Sequence, residues 1–179
     1  MLALALALAA SPASAAPGDM AGDVAADVAS GDGQWLARLE DGGQVLVIVA
    51  TDTGEVAHRR ALASRDHLAR GGAALIALPA RQSFVVALDG APELWEIALA
   101  ADAGPFHDGF VHSYESGMEE ALAAEAGRFA RQRIKLSAPV VALALMPGKR
   151  HAVIATRTDG TRVVIHLAVR REIAVLPPE

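Results

Sequence analysis

The residues best suited to chemistry in this chain are its six histidines. The densest group lies at residues 107–114, where His107 and His112 flank Asp108 on a glycine-bearing loop. A histidine beside a carboxylate can bind a metal ion or orient a proton donor, because the carboxylate fixes the tautomer of the ring. The same pattern is also typical of a solvated surface insertion. Both interpretations stay open from the sequence.

The other four histidines lie in plainer surroundings. His67 falls in a polar connector, and His58 follows a turn beside two arginines, so both are expected to be exposed. His151 and His166 lie in or beside predicted strands, where a histidine faces outward or packs in a sheet. None of the histidine spacings matches a zinc site. Three arginines could instead pair with the carboxylates of an anionic ligand, or could be solvated turn residues, namely Arg70, Arg81 and Arg157.

Composition excludes several classes of site. The chain has no cysteine, which rules out disulfides, thiolate metal sites, a cysteine nucleophile and covalent attachment of a c-type haem. Its serines lack the Gly-x-Ser-x-Gly elbow of a serine hydrolase. The formal net charge is −5, and no basic stretch is long enough to follow a phosphate track, so nucleic acid is not an expected partner. No catalytic residue is predicted, and an enzyme is the less favoured interpretation.

The elements that must position these residues come from a pattern that occurs three times. Each copy has an apolar run, a turn with Asp-Gly, a second apolar run and a charged exit, at residues 34–62, 82–99 and 150–176. The turns are Asp41-Gly42, Asp89-Gly90 and Asp159-Gly160, and such a dipeptide between apolar runs is a strong hairpin signal. A repeat of this kind predicts an all-β partial propeller of about three four-stranded antiparallel blades. Three unrelated hairpins in another all-β domain are the alternative.

One segment interrupts the repeat. The spacing of the second and third turns leaves an extra polar stretch at residues 101–133. Ser116 could cap a short helix over residues 118–130, so a partly helical insertion is expected, with the third blade beginning at Ile134.

The amino terminus predicts export. An uncharged apolar run at residues 2–10 precedes Ala13-x-Ala15, a signal-peptidase type of site, although no Lys or Arg precedes the run. We therefore expect a signal peptide at residues 1–15, cleaved after Ala15, and a propeller domain at residues 16–179 in the periplasm. A retained amphipathic helix is the alternative for the first residues. No later window has 18 apolar residues, so no membrane span is expected.

Three segments resemble a known family. SFVVALDGAPELWEI at residues 83–97, DGFVHSYESG at residues 108–117 and RHAVIATRTDGTRVVIHLAVRREIAVLP at residues 150–177 are similar to the haem-d1 propeller family. This family comprises the carboxy-terminal domain of the periplasmic haem-d1 nitrite reductase and related proteins of haem d1 biosynthesis. The resemblance covers about the last hundred residues, and the chain is identified as an apparently truncated member.

The resemblance implies an eight-bladed ring around haem d1, with histidines as axial and pocket ligands. This chain has about three blades, and where the reductase has a histidine after Ala-Pro it has Ala142. The candidate cofactor-binding residues are therefore His67, His107 and His112. The implied function is haem d1 binding or assembly in denitrification rather than nitrite reduction. The alternatives are a non-haem propeller that binds a partner protein, and an inactive fragment of a longer propeller. Self-association through open blade edges is expected in either case.

Overall fold

A computed structural model of the chain describes residues 27–107, 110–111, 120–121 and 124–177. Strands dominate this part of the chain, and one 3-10 turn at Pro79–Arg81 is its only helical element. In chain order the strands are β1 (Val28–Ala29), β2 (Trp35–Glu40), β3 (Val45–Ala50), β4 (Val56–Ala61), β5 (Gly72–Leu78), β6 (Ser83–Leu88), β7 (Glu93–Ala98), β8 (Phe106–His107), β9 (Phe110–Val111), β10 (Glu120–Ala121), β11 (Ala124–Glu125), β12 (Arg131–Lys135), β13 (Val140–Leu145), β14 (Ala152–Arg157), β15 (Arg162–His166) and β16 (Arg171–Val175).

The strands form three four-stranded antiparallel sheets. Blade 1 contains β1 to β4, blade 2 contains β5, β6, β7 and β12, and blade 3 contains β13 to β16. The first strand of blade 2, β5, contacts both β1 and β13, so the first strands of the three blades lie together as the inner strands. This arrangement is a partial β-propeller, and the predicted fold class is confirmed.

The three Asp-Gly turns occupy equivalent positions, as the repeat predicts. Each joins the second strand of a blade to its third. In blade 1 both turn residues have positive φ, 54° at Asp41 and 66° at Gly42, which a type I′ hairpin turn requires. Because the strands alternate in direction, the blade connectors at residues 62–71 and 136–139 lie at the same end of the sheets as these turns. We call this end the Asp-Gly end, and the other, which carries residues 99–130, the insertion end.

The insertion differs from the expectation in two ways. Residues 99–130 lie between the third and fourth strands of blade 2, because Arg131–Lys135 pairs with β7 and completes that blade. Blade 3 therefore begins at β13 and not at Ile134. The described residues within the expected helix at residues 118–130 form two short strands and a turn instead. They hydrogen-bond across a hairpin, β10 to β9 and β11 to β8, so their backbone groups are used between strands rather than within a helix.

The core lies between the blades and not inside any one of them. The cluster between blades 1 and 2 contains Ala37, Leu39, Leu46, Ile48, Leu62, Leu75, Phe84, Val86, Leu88, Ala91, Trp95, Ile97 and Leu99. The cluster between blades 2 and 3 contains Leu78, Val85, Ala87, Leu94, Ile134, Val140, Val153, Ala155, Val163, Ile165 and Leu167. Alternate residues of β6 and β7 enter the two clusters, as the two-residue period of a strand dictates. Blade 2 is thus buried on both faces.

The outer faces of blades 1 and 3 are not covered by another described sheet, but their central strands are buried nonetheless. On the outer faces, Val47 in β3 has no exposed surface and Val164 in β15 is 3% exposed, so these two strands supply little exposed apolar surface for the expected self-association. The exposed large hydrophobic residues of blade 3 lie on its first and last strands and the turn between β15 and β16: Val141, Leu145, Val169, Ile173 and Val175. No helix in the described part of the chain is long and apolar enough to cross a membrane.

Candidate functional site

The best-formed polar site joins blades 2 and 3 at the insertion end. Arg81, in the turn between β5 and β6, forms a bidentate pair with Glu96 of β7, with Nε–Oε1 and Nη2–Oε2 distances of 2.6 and 2.9 Å. Ser83 donates its hydroxyl to the same carboxylate at 2.8 Å. Because Glu96 is only 5% exposed, its charge depends on these two partners. The Arg81–Glu96 ion pair lies at the boundary between blades 2 and 3.

His151 of blade 3 is the next member of this site. Nη1 of Arg81 lies 2.6 Å from Nδ1 of His151. A guanidinium only donates hydrogen bonds, so Nδ1 accepts and the neutral ring carries its proton on Nε2. Burial lowers the pKa of His151, and the positive charges of Arg81 and Arg150 lower it further. His151 is therefore held in the neutral form near pH 7.

A second histidine stacks on the first. The ring centroids of His151 and His166 are 5.9 Å apart, with 22° between the ring planes. The backbone N–H of Val169 approaches Nδ1 of His166 at 3.4 Å, so this ring also accepts at Nδ1. Both rings thus keep Nε2–H as a donor. No hydrogen bond joins either Nε2 to any of the residues that the structure describes.

A cleft of about 510 Å³ opens beside the two rings on the outer face of blade 3. Its floor is apolar, and two cationic side chains stand beside the histidines. The lining residues are Met146, Gly148, Lys149, Arg150, His151, Ala152, Val164, His166, Ile173, Ala174 and Leu176. We call it the histidine cleft. Its size is within the range of small-molecule sites, and the described residues that line it offer hydrogen-bond donors and cations but no carboxylate.

The cleft is poorly suited to a metal ion. An imidazole that binds a metal through Nε2 must carry its remaining proton on Nδ1, and in His151 that atom faces the N–H of Arg81. Among the described residues, no group of three or more histidine, aspartate or glutamate side chains could hold a metal ion. The cleft can therefore bind a hydrogen-bond acceptor or an anion.

A second buried polar network joins blades 1 and 2 near the Asp-Gly end. Arg133 of β12 donates to both carboxylate oxygens of Glu93 in β7, from Nε at 2.5 Å and Nη2 at 2.9 Å. Trp95 and Ser64 donate to Glu93 as well, at 2.5 and 2.7 Å. Burial opposes the charge of Glu93, yet these hydrogen bonds hold its pKa below the ordinary value. The carboxylate is fully engaged, which indicates a structural role.

Neither glutamate is among the candidate residues that the sequence predicts. Glu93 and Glu96 are three residues apart on one strand, so they point to opposite faces, one toward each neighbouring blade. Two carboxylates in the otherwise apolar strand ELWEIA indicate buried ion pairs, because each buried carboxylate needs a cationic partner. Arg133 in the strand RQRIK is the cation that pairs with Glu93, whereas Glu96 pairs with Arg81 of the turn between β5 and β6.

The histidines chosen from the sequence do not come together. His67 is exposed in the connector at the Asp-Gly end, where its backbone N–H donates to Oγ of Ser64 at 3.2 Å. His107 is partly buried in β8, at the insertion end, and its carbonyl accepts a hydrogen bond from Arg170 of blade 3 at 3.2 Å. His67 and His107 are therefore separated by the length of a strand. His112 lies outside the described residues. Haem binding by these three residues stays a prediction.

The remaining residues chosen from the sequence have varied surroundings. Arg81 and Arg157 are engaged in ion pairs, with Glu96 and Glu172 respectively, whereas Arg70 is exposed. His58 is not simply exposed as expected, because its ring stacks on Phe129 with centroids 5.1 Å apart. Burial lowers the pKa of His58, and nearby Arg60 adds to this shift.

Solved structures give the clearest comparison. Dihydro-heme d1 dehydrogenase NirN, solved in complex with DHE, matches 87% of this chain with a TM-score of 0.64 at 19% identity. The β-propeller domain of Cps50 (Swd1) from Myceliophteria thermophila matches 89% with a TM-score of 0.53 at 17% identity. The fold is that of a β-propeller. The chain spans only 28% of NirN and 40% of the Cps50 domain. No family model matches, and no curated protein matches.

Proposed function

We propose that this chain is a haem-d1-type propeller protein that binds haem d1, or takes part in its assembly, rather than reducing nitrite. The observation that carries the proposal is the structural similarity to NirN, which extends over 87% of the chain. The segments at residues 83–97, 108–117 and 150–177 support it through their resemblance to the haem-d1 propeller family. Export to the periplasm and a place in denitrification belong to the same proposal.

The geometry limits how haem could be held. His67 and His107 lie at opposite ends of the sheets, so one macrocycle cannot take both as ligands. Because His107 lies on the insertion that extends toward blade 3, it is the better candidate of these two. At the same end of the sheets, Lys149 and Arg150 are exposed cations that suit an anionic macrocycle.

A titration with haem d1 tests this proposal. The chain from Ala16 should shift the long-wavelength absorbance of haem d1 with a saturable dependence on protein. His107→Ala should weaken the shift, and His67→Ala should leave it unchanged. No saturable change with the unmodified chain would rule out haem d1 binding by the chain alone. Sequencing the amino terminus of the exported protein tests the cleavage after Ala15.

A second candidate function is a non-haem binding module, and one observation favours it. Four apolar residues form an unbroken row across the outer face of blade 3, because Ala144 pairs with Ile154, Ile154 with Val164, and Val164 with Ala174. Ala144 and Ala174 are exposed. Small side chains let another sheet approach closely, so this row is a suitable docking surface for an apolar sheet face.

A second copy of this chain is the partner that we propose for this row. The outer face of blade 1 is a poor counterpart, because Arg59 and Arg38 both pair there with Glu40, at 2.9 and 2.8 Å, and covering those charges would cost desolvation energy. The row of blade 3 is instead complementary to itself, so two copies can bury it in one symmetric interface.

A further inference from the structure

We propose that the histidine cleft binds a small molecule with a flat apolar body and a carboxylate or similar oxyanion. The inference does not rest on haem d1. Val164 and Ala174 belong both to the cleft and to the apolar row of blade 3, so a dimer through that row would cover the cleft, and the inference is made for the monomer. Three properties of the cleft carry it: the donors that its rings present, the charge beside them and the shape of the floor.

The donors are fixed by contacts outside the cleft. Arg81 holds Nδ1 of His151, and the N–H of Val169 approaches Nδ1 of His166. With Nδ1 accepting, each ring can present only Nε2–H to a ligand, and an N–H group requires an acceptor. Arg81 is a positioning residue here, since Glu96 holds the Arg81 side chain that orients His151, and Ser83 donates to Glu96.

The positive charge beside the cleft favours an anion over a neutral hydrogen-bond acceptor. Lys149 and Arg150 line it, are exposed and form no ion pair with a described residue. The charge of Arg81 is matched by Glu96, so these two side chains supply the net positive charge. Because none of the described residues that line the cleft carries a carboxylate, an anion there meets no fixed negative charge from them.

The floor selects a flat apolar body. Ala152, Val164 and Ala174 are small or branched and apolar, and Ile173 is half exposed beside them. The rings of His151 and His166, with centroids 5.9 Å apart, line the cleft, and an aromatic ligand can pack against an imidazole ring. The volume of about 510 Å³ accepts a ligand of a few fused rings.

Two matched probes test the proposal by equilibrium dialysis: 1-naphthoate and 1-naphthalenemethanol. They share one aromatic body and differ in the carboxylate. We expect naphthoate to bind at least about tenfold more tightly than the alcohol at low salt. The double variant Lys149→Gln with Arg150→Gln should reduce naphthoate affinity to that of the alcohol. Both residues are exposed, so this variant should fold normally.

The control is the double variant Arg65→Gln with Arg70→Gln. It changes the net charge equally, but both residues are exposed at the Asp-Gly end, away from the cleft. Unchanged naphthoate binding in this control supports the proposal. Equal affinity for the two probes, no saturable binding, or an equal loss in both double variants would overturn it. Dilute protein, checked by sedimentation, keeps self-association separate from the result.

Discussion

Nη1 of Arg81 in blade 2 lies 2.6 Å from Nδ1 of His151 in blade 3, and the same guanidinium holds Glu96 through two further bonds. One arginine therefore connects a buried carboxylate of one sheet to a neutral imidazole of the next. Apolar packing alone would let the two sheets slide, because burial is not directional. This directional contact fixes their relative position at the insertion end.

Removing the guanidinium should destabilise the chain strongly. Arg81→Met leaves the carboxylate of Glu96 buried with only the hydroxyl of Ser83 as a partner, and breaking such a pair costs about 3 kcal/mol. Arg157→Met is the matched control, because Arg157 is equally shielded but its partner Glu172 is 21% exposed and keeps Ser137. That variant should lose about 1 kcal/mol. Urea unfolding measures both, and equal losses would contradict the buried role of Glu96.

His151 predicts a specific pH dependence of stability. Its pKa is lowered in the folded chain from the ordinary value of 6.5, so the unfolded chain binds the proton more readily. The free energy of unfolding should therefore decrease as pH falls below about 6.5, and the loss is complete below the folded pKa. His58 acts in the same direction, so the readout is the difference between the unmodified chain and His151→Asn.

His151→Asn should make the stability profile flatter between pH 7 and pH 5. Asparagine can still accept from Arg81 but does not titrate. His67→Asn, at the exposed connector of the other end, serves as the control and should reproduce the unmodified profile. Parallel profiles for the chain and for His151→Asn would show that His151 is not held neutral.

The blades were predictable from the sequence because their signals are local. Each turn, at Asp41, Asp89 and Asp159, needs a residue that accepts positive φ, and the next glycine supplies it. The alternation of apolar and polar residues in the flanking strands determines which side chains enter the core. The strand pairing of residues 131–135, by contrast, is not determined by nearby sequence. Arg131–Lys135 completes blade 2 by pairing with β7, more than thirty residues earlier, and nothing near Ile134 encodes that partner.

The candidate site was less predictable for the same reason. Arg81 and His151 are seventy residues apart, and neither belongs to a recognisable motif. The predicted group of His107, Asp108 and His112 lies close together in the sequence. His151 and His166 become neighbours only when β14 pairs with β15. Density along the chain and proximity in the fold are different properties.

Asp66 predicts a contribution to stability in acid. Its hydrogen bond with Lys135, together with that from Arg133, lowers the pKa of Asp66 to about 2 from 3.8. The folded state therefore binds this proton less readily than the unfolded state, and the contribution is present above pH 3.8 and lost as pH falls toward 2. Asp66→Asn should unfold with a shallower acid dependence in that window. Asp52→Asn, in an exposed turn, should retain the full dependence, and no difference between the two variants would refute this assignment.

The apolar row of blade 3 predicts how the chain associates. Ala144, Ile154, Val164 and Ala174 run across the whole sheet, and a symmetric interface would place this row against the same row of a second copy. Ala174→Glu puts a charge at one end of that row, on an exposed residue that the isolated sheet tolerates. Ala57→Glu makes the same chemical change on an exposed residue of blade 1.

In sedimentation equilibrium, the chain and Ala57→Glu should be dimers, while Ala174→Glu should be a monomer with similar unfolding by urea. Association that survives Ala174→Glu but not Ala57→Glu would place the contact on blade 1, and a chain that is monomeric without either change would remove this interface.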